Sequence, residues 1–368
     1  MLDRSWLEVD LDILENNYKL IKKAVYDNQK IMAVVKANAY GFGGVEIAKT
    51  LQNCGCEKFA VSNLQEGIEL RQNGVKGQIL ILGYTPPRFL YKVVENDLIQ
   101  TVISSSCAQE LFRFGKCIKT AVAIDTGMNR LGLKTDKDSE IVSLIYKCYE
   151  KTTLISCFSH LAIADEKKGE EFTKEQTQKL KDIKNKIPFK EVHFHIANTA
   201  LSLKNNDEDF GVVRVGIGLY GLAPSGWINL PKGVKQVAKW KTVISLIKEI
   251  KRGESVGYGR SFVAEKDMKI GVLPTGYADG YRRILSNRGK VFINGSEAKV
   301  VGRICMDQMM VDLSNLTNPK VGDEVTLIGD KYSFNEMAKD LKTINYEVGC
   351  SRSNRVKRIY IKNGKTFQ

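Results

Sequence analysis

A lysine placed just after an apolar run is the first residue of this chain that could do covalent chemistry. It stands in Ala33-Val34-Val35-Lys36-Ala37-Asn38-Ala39-Tyr40-Gly41. Partial desolvation there lowers an amine's pKa and makes a nucleophile or a Schiff base possible. Four other polar segments also follow apolar runs: Asp125-Thr126-Gly127-Met128-Asn129-Arg130, Ser159-His160-Leu161-Ala162, His195-Ile196-Ala197-Asn198-Thr199 and Arg214-Val215-Gly216-Ile217. Singly, a surface lysine or a satisfied structural histidine is the plainer reading of Lys36, His160 or His195. Five polar clusters in the same position relative to their apolar runs read better as one site. Further along, Gly257-Tyr258-Gly259 sets a tyrosine between glycines that permit close backbone approach, with a β-turn tyrosine as the plainer alternative. Gly276-Tyr277-Ala278-Asp279-Gly280 and Gly302-Arg303-Ile304-Cys305-Met306-Asp307-Gln308 are the other two segments of mixed polarity.

The elements that must position these groups alternate. Short β-branched runs at 6–9, 31–35, 59–61, 79–82, 98–102, 121–124, 154–158, 193–195 and 212–215 are separated by helix-like stretches such as 11–25, 44–53, 64–73, 140–149 and 174–186. Strand–helix alternation predicts a parallel sheet with crossover helices, and the unit length suits a closed (β/α)₈ barrel. A doubly wound sheet is the competitor; it would normally show a Gly-rich phosphate loop after its first strand, and none is present. In a barrel all five polar clusters converge on one rim, the last two where such barrels commonly bind phosphate. After about residue 233 the texture changes to alternating runs at 243–247, 269–273, 290–293, 298–304, 309–313, 324–327 and 356–361, with one helix near 335–341. The expected division is therefore an α/β barrel over 1–233 and a mostly antiparallel C-terminal β domain over 234–368.

Composition narrows the function. The chain has 368 residues, 43% apolar and 27% charged, values of an ordinary globular protein. No window is long and apolar enough for a membrane span, and the N-terminus does not read as a secretory signal. The formal charge of +14 comes from scattered lysines rather than a basic face, so no nucleic-acid partner is expected. Eight dispersed cysteines and only three histidines predict reduced thiols and no metal site.

Taken together, AVVKANAYG, DTGMNRLG, HIANTA, VRVGIGLYGL, GYADG and GRICMDQ, in this order along essentially the whole chain, resemble the alanine racemase family. The resemblance implies a pyridoxal 5'-phosphate barrel and a homodimer whose sites combine the barrel of one subunit with the β domain of the other. Lys36 would hold the cofactor as a Schiff base, and Tyr258 of the partner subunit would face it across the substrate Cα. Two bases on opposite faces are what racemisation requires. A tyrosine titrating near its usual value of about 10 is a poor base, so a chain from Tyr258 through His160 to Arg214 would favour its phenolate. Arg214 would face the pyridine nitrogen and withhold a proton from it. Arg130 would hold the cofactor's phenolic oxygen and, helped by the Met306 backbone N–H, the substrate carboxylate. Tyr40, Thr199, Gly216 and Ile217 would bind the phosphate, Asn198 would join the cofactor site and Tyr277 the substrate site.

Departures from the family pattern point to the substrate. Asn354 stands where the family usually has a tyrosine; a smaller residue with an amide should admit a side-chain hydroxyl. In this the chain resembles the membrane-anchored serine/alanine racemases of vancomycin-resistant bacteria. The expected function is interconversion of L- and D-serine and of L- and D-alanine, in the cytoplasm, on the inner face of the membrane as part of a longer protein with an N-terminal membrane domain. The alternative is a plain alanine racemase supplying D-alanine to the cell wall. Ala123 replaces a carbamylated lysine that orients the arginine in many members, so a chloride or water would have to orient Arg130. Arg352 stands where the entry corridor is usually small or apolar. A decarboxylase on the same plan would need a basic-side-chain pocket and usually a catalytic cysteine, neither clearly placed; a cofactor-carrier protein would resemble the barrel alone.

Overall fold

A computed structural model describes residues 4–134, 137–204 and 210–368. The chain forms two compact units, one of Ile13–Lys235 and one joining the chain up to Asp12 with Gln236–Gln368.

The first unit is a nearly closed parallel barrel. Its strands run Lys30–Val34, Lys58–Val61, Gln78–Ile81, Ile99–Val102, Lys119–Asp125, Thr153–Phe158, His193–His195 and Val212–Val215, each paired in parallel with the next as far as His193–His195. The last strand returns to the first, with Val212 opposite Lys30. The seam beside it is bridged by the Arg214 N–H donating to the Ala197 carbonyl at 2.9 Å. These strands are buried almost throughout because both faces are covered, which is why they read as continuous apolar runs. Crossover helices bury one stripe each: Gly44–Asn53 turns Ile47, Ala48 and Leu51 inward, and Glu170–Lys184 turns Leu180 and Ile183. Since all eight strands point the same way, the segments that follow them share one rim.

The second unit is built on a seven-stranded sheet in the order Ser296–Lys299, Lys290–Ile293, Glu324–Ile328, Ala238–Val243, Ser5–Asp10, Lys357–Lys362, Lys365–Phe367. A three-stranded antiparallel sheet of Leu246–Ile250, Met268–Leu273 and Met309–Asp312 and a small hairpin, Ser255–Val256 with Phe262–Val263, complete it. The run 6–9, expected among the barrel strands, lies in this sheet instead. It pairs antiparallel with 238–242 and parallel with 357–361, and Trp6, Leu7 and Val9 are buried there. A division at 233/234 therefore assigns the opening strand to the wrong unit; its partners are hundreds of residues away, beyond the reach of a local pattern. The run 243–247 is likewise two strands broken at Ile244 and Ser245, and a helix at Asn345–Cys350 follows the expected one at Phe334–Leu341.

Candidate active site

At the barrel rim, Lys36 stands two residues past the end of the first strand and opens an unusual turn. Ala37, Asn38, Ala39 and Tyr40 all have positive φ, between 51° and 56°, so the chain makes one turn of left-handed helix. For residues with a Cβ this costs about 1–2 kcal/mol each, and it persists only where surrounding bonds over-determine it. Those bonds are present. The Ala37 N–H donates to Glu66 Oε1 at 2.8 Å, the Ala39 N–H to the Val35 carbonyl at 2.8 Å, and Asn38 Oδ1 accepts from the Gly44 N–H at 2.6 Å. The outcome is that Lys36 and Tyr40 lie on one short rigid turn.

Tyr40 is buried, and its hydroxyl reaches the loop after the last strand, since a Cβ at Gly216 would stand 2.3 Å from Tyr40 Oη. Only glycine permits that approach. The Gly216 N–H donates to Thr199 Oγ1 at 3.0 Å, and Ile217 follows in a short 3₁₀ turn, Ile217–Tyr220. Tyr40, Thr199, Gly216 and Ile217 thus come together as a cradle, two hydroxyls beside the loop that follows the last strand. Asn198 Oδ1 caps the short helix beginning at Thr199 by accepting from the Leu201 N–H at 3.1 Å, so its carbonyl oxygen is engaged in placing Thr199.

Arg214 is 4% exposed and has no carboxylate partner among the described residues. Nη2 donates to the Ser159 carbonyl at 2.6 Å, the Ile196 carbonyl at 3.1 Å and His160 Nδ1 at 3.1 Å; Nη1 donates to His195 Nδ1 at 2.5 Å and to the His195 carbonyl. Both terminal nitrogens are therefore engaged, while Nε has no hydrogen bond among the described residues. Burial, reinforced by the charge of Arg130, lowers its pKa to about 9, which leaves it protonated at neutral pH. His160 is pushed down to about 3 by burial and by Arg214, Arg130 and Lys36, and His195 well below its ordinary value by burial and Arg214. Both imidazoles are neutral, and each receives Arg214 at Nδ1, so each holds its proton on Nε2.

Arg130 sits in a loop shaped by Asp125, whose Oδ1 accepts from the Gly127 N–H at 2.9 Å and the Asn129 N–H at 3.0 Å. It makes no hydrogen bond or ion pair among the described residues, and its charge reaches both His160 and Arg214. Ala123 is buried in the strand beneath. The sequence reading passed over Gln176. Fully buried on its helix, it accepts from the Ala162 N–H at 2.9 Å and donates to the His160 carbonyl at 3.0 Å and to Thr126 Oγ1 at 3.3 Å, joining the Arg130 and His160 loops. Its only signal was a polar residue on an inward helical stripe.

In the β unit, Tyr258 is 69% exposed beside a groove of about 730 Å³ that Met306, 53% exposed, also lines. Gly257 before it has φ +71°, a conformation that suits glycine and turns the ring outward. Tyr277 lines a different cavity of about 510 Å³ with Arg282, Arg283 and Glu347. Asn354 is exposed, and its amide has no hydrogen-bond partner among the described residues. Arg352 does not line a corridor. It is 4% exposed, lies 4.8 Å from the Phe334 ring and 5.7 Å from the Trp240 ring, and donates to the Val348 and Gly349 carbonyls. Its guanidinium stacks inward because both rings and two helix-end carbonyls are within its reach.

An amine on a rigid turn, an oxyanion cradle and a buried arginine with one donor left over fit pyridoxal phosphate group by group: aldehyde, phosphate, ring nitrogen. Barrel, rim and appended β unit define the class of barrel-type pyridoxal-phosphate enzymes. Within it, residues 9–224 match the family model for the alanine racemase N-terminal domain and residues 237–360 that for the C-terminal domain. The chain belongs to the alanine racemase family. The alanine racemase of Clostridium perfringens (strain SM101 / Type A) is 40% identical over 372 residues, 98% of this chain and 96% of that protein. The solved alanine racemase of Clostridium difficile 630 superposes with TM-score 0.94 at 37% identity, covering 100% of this chain and 98% of that one. A Bartonella henselae alanine racemase with covalently bound pyridoxal phosphate superposes with TM-score 0.89 at 31% identity, covering 98% and 100%.

Proposed function

We propose that this protein is a pyridoxal-phosphate-dependent alanine racemase that works as a homodimer, with serine as a second substrate. The observation that carries the reading is Arg214: a buried, protonated guanidinium between two neutral imidazoles, its Nε left over on the rim that bears Lys36. Pyridoxal phosphate, when bound, supplies the electron sink that acidifies the substrate α-proton. The chain's own residues do the rest. Tyr40, Thr199, Gly216 and Ile217 hold the phosphate, and Arg214 donates a hydrogen bond to the ring nitrogen while keeping its proton. Arg130, with no hydrogen bond or ion pair among the described residues, is available to the substrate carboxylate with the Met306 N–H, a chloride or water orienting it where many family members have a carbamylated lysine. Lys36 moves the α-proton on one face. Tyr258 of a second subunit, whose phenol faces outward from its own β unit, moves it on the other. His160 supports that phenolate as a neutral donor through Nε2–H, its proton held there by Arg214 at Nδ1.

The relatives' names favour alanine as the main substrate. Asn354, exposed with an unengaged amide, supports serine as an additional one. No described helix is long and apolar enough to cross a membrane; attachment to a membrane's inner face through a further segment, and a part in vancomycin resistance, rest within this reading on Asn354 alone. The test is α-proton exchange into deuterated water, on both enantiomers of alanine and serine, by wild type, Tyr258→Phe and Asn354→Tyr. Wild type should exchange all four and Tyr258→Phe only one enantiomer of each pair, while Asn354→Tyr should lower serine exchange about tenfold relative to alanine. Symmetric loss in Tyr258→Phe would remove the two-base mechanism. An unchanged serine-to-alanine ratio would remove Asn354.

A further inference from the structure

Met306 and Asn354, two of the exposed residues of the β unit read above as facing substrate, stand on separate loops, and the turn Gly276-Tyr277-Ala278-Asp279-Gly280 binds both. On one side the Tyr277 N–H donates to the Cys305 carbonyl and the Ala278 N–H to the Met306 carbonyl, both at 3.0 Å. A Cβ at Gly276 would lie 2.4 Å from those same two carbonyl oxygens, so the two segments could not close on any other residue. On the other side the Ser353 N–H donates to the Asp279 carbonyl at 3.3 Å.

The side chains repeat this bridge with charge. The Asp279 carboxylate is completely buried and accepts from the Gly276 N–H at 3.0 Å. Arg4 grips it with both terminal nitrogens, at 2.5 and 3.1 Å, and is itself held on the Pro274 carbonyl at 2.7 Å. Arg355, the residue after Asn354, places Nε 3.6 Å from the same carboxylate and Nη2 2.6 Å from Asp307 Oδ1, the residue after Met306. Two arginines and two aspartates balance. Arg4 already neutralises the buried carboxylate, so the outer pair is free to act as a strut between the loops. Arg355 and Asp307 side chains are 44% and 51% exposed, and ion pairs so exposed contribute little to stability. A strut that does little for stability and joins the neighbours of two substrate-facing residues has positional accuracy as its use.

We propose that Arg355 and Asp307 are positioning residues: their ion pair, anchored on buried Asp279, locks the Met306 loop and the Asn354 loop into one unit and so sets substrate affinity and the serine-to-alanine preference. This rests on the racemase reading only for which residues meet substrate; the locking itself is a property of the β unit. The test uses holoenzyme carrying Arg355→Met, Asp307→Asn, both together, or Arg355→Lys. Each single variant should raise KM for L-alanine about three- to tenfold, change kcat less than about twofold and shift the serine-to-alanine ratio. The double variant should be no worse than the poorer single, and Arg355→Lys should recover part of the loss. Amide hydrogen exchange gives a readout independent of turnover: either single substitution should speed exchange in both loops, at 305–308 and at 353–356. Unchanged KM, additive losses, or faster exchange confined to the substituted loop would overturn the proposal. Absence of α-proton exchange by the wild type would overturn the racemase reading alone, leaving hydrogen exchange to decide the locking.

Discussion

His160 and His195 show how much one buried arginine settles. Neither imidazole can gain a proton cheaply, because burial and the adjacent guanidinium both oppose a second positive charge. The unfolded chain has no such opposition, and its histidines titrate near 6.5. Below that value the unfolded state binds protons that the folded state refuses, so stability falls as pH falls, from about 6.5 down towards the folded-state value near 3 for His160. The thermal midpoint of the wild type should therefore drop between about pH 7 and pH 5, and His160→Asn should flatten that slope. Equal slopes in wild type and variant would mean that His160 charges freely in the native state. The acid limb of activity, by the same reasoning, belongs to a group other than His160.

Among the elements, the left-handed turn Ala37–Tyr40 and the loop at Gly216 form one device. The turn is strained, and what it accomplishes is the delivery of the Tyr40 hydroxyl to a point that only a glycine at 216 can face. Gly216→Ala places a methyl group 2.3 Å from Tyr40 Oη, which forces the tyrosine off the cradle or the loop away from it. The protein should still fold, since the barrel strands are untouched. Its affinity for pyridoxal phosphate should weaken about tenfold or more, read from cofactor absorbance on dialysis. Retained cofactor affinity would show that the cradle lies elsewhere. Arg352 is the contrary case: its place in the chain suggested a corridor, and packing turned it into a strut beneath Trp240 and Phe334.

At the scale of the whole molecule, the proposed site needs an amine from one subunit and a phenol from another. That makes a prediction no single-chain enzyme would meet. Lys36→Ala and Tyr258→Phe should each be inactive in racemisation as homodimers. Mixed, dissociated and reassembled in equal amounts, half of the dimers are hybrids holding one site with both bases intact, so about a quarter of wild-type activity should return. No recovery after demonstrated subunit exchange would place both bases in one chain.

The groups of the site were legible in the sequence because reactive residues in a barrel follow the ends of apolar strands, and such ends can be recognised locally. Lys36, Arg130, His160 and Arg214 were found that way, as was the barrel itself from its alternation. Other features depend on residues far apart in the chain. The strand Ser5–Asp10 belongs to the β unit because its partners are at 238–242 and 357–361. The left-handed turn exists because Glu66 and Gly44 hold it, Gln176 matters because two distant loops meet at its amide, and Arg352 points inward because two rings wait there. Amino-acid order and local patterning determined which chemistries this chain could attempt. Tertiary structure alone decided which groups meet and which protons they keep, because burial and long-range contact set both geometry and charge.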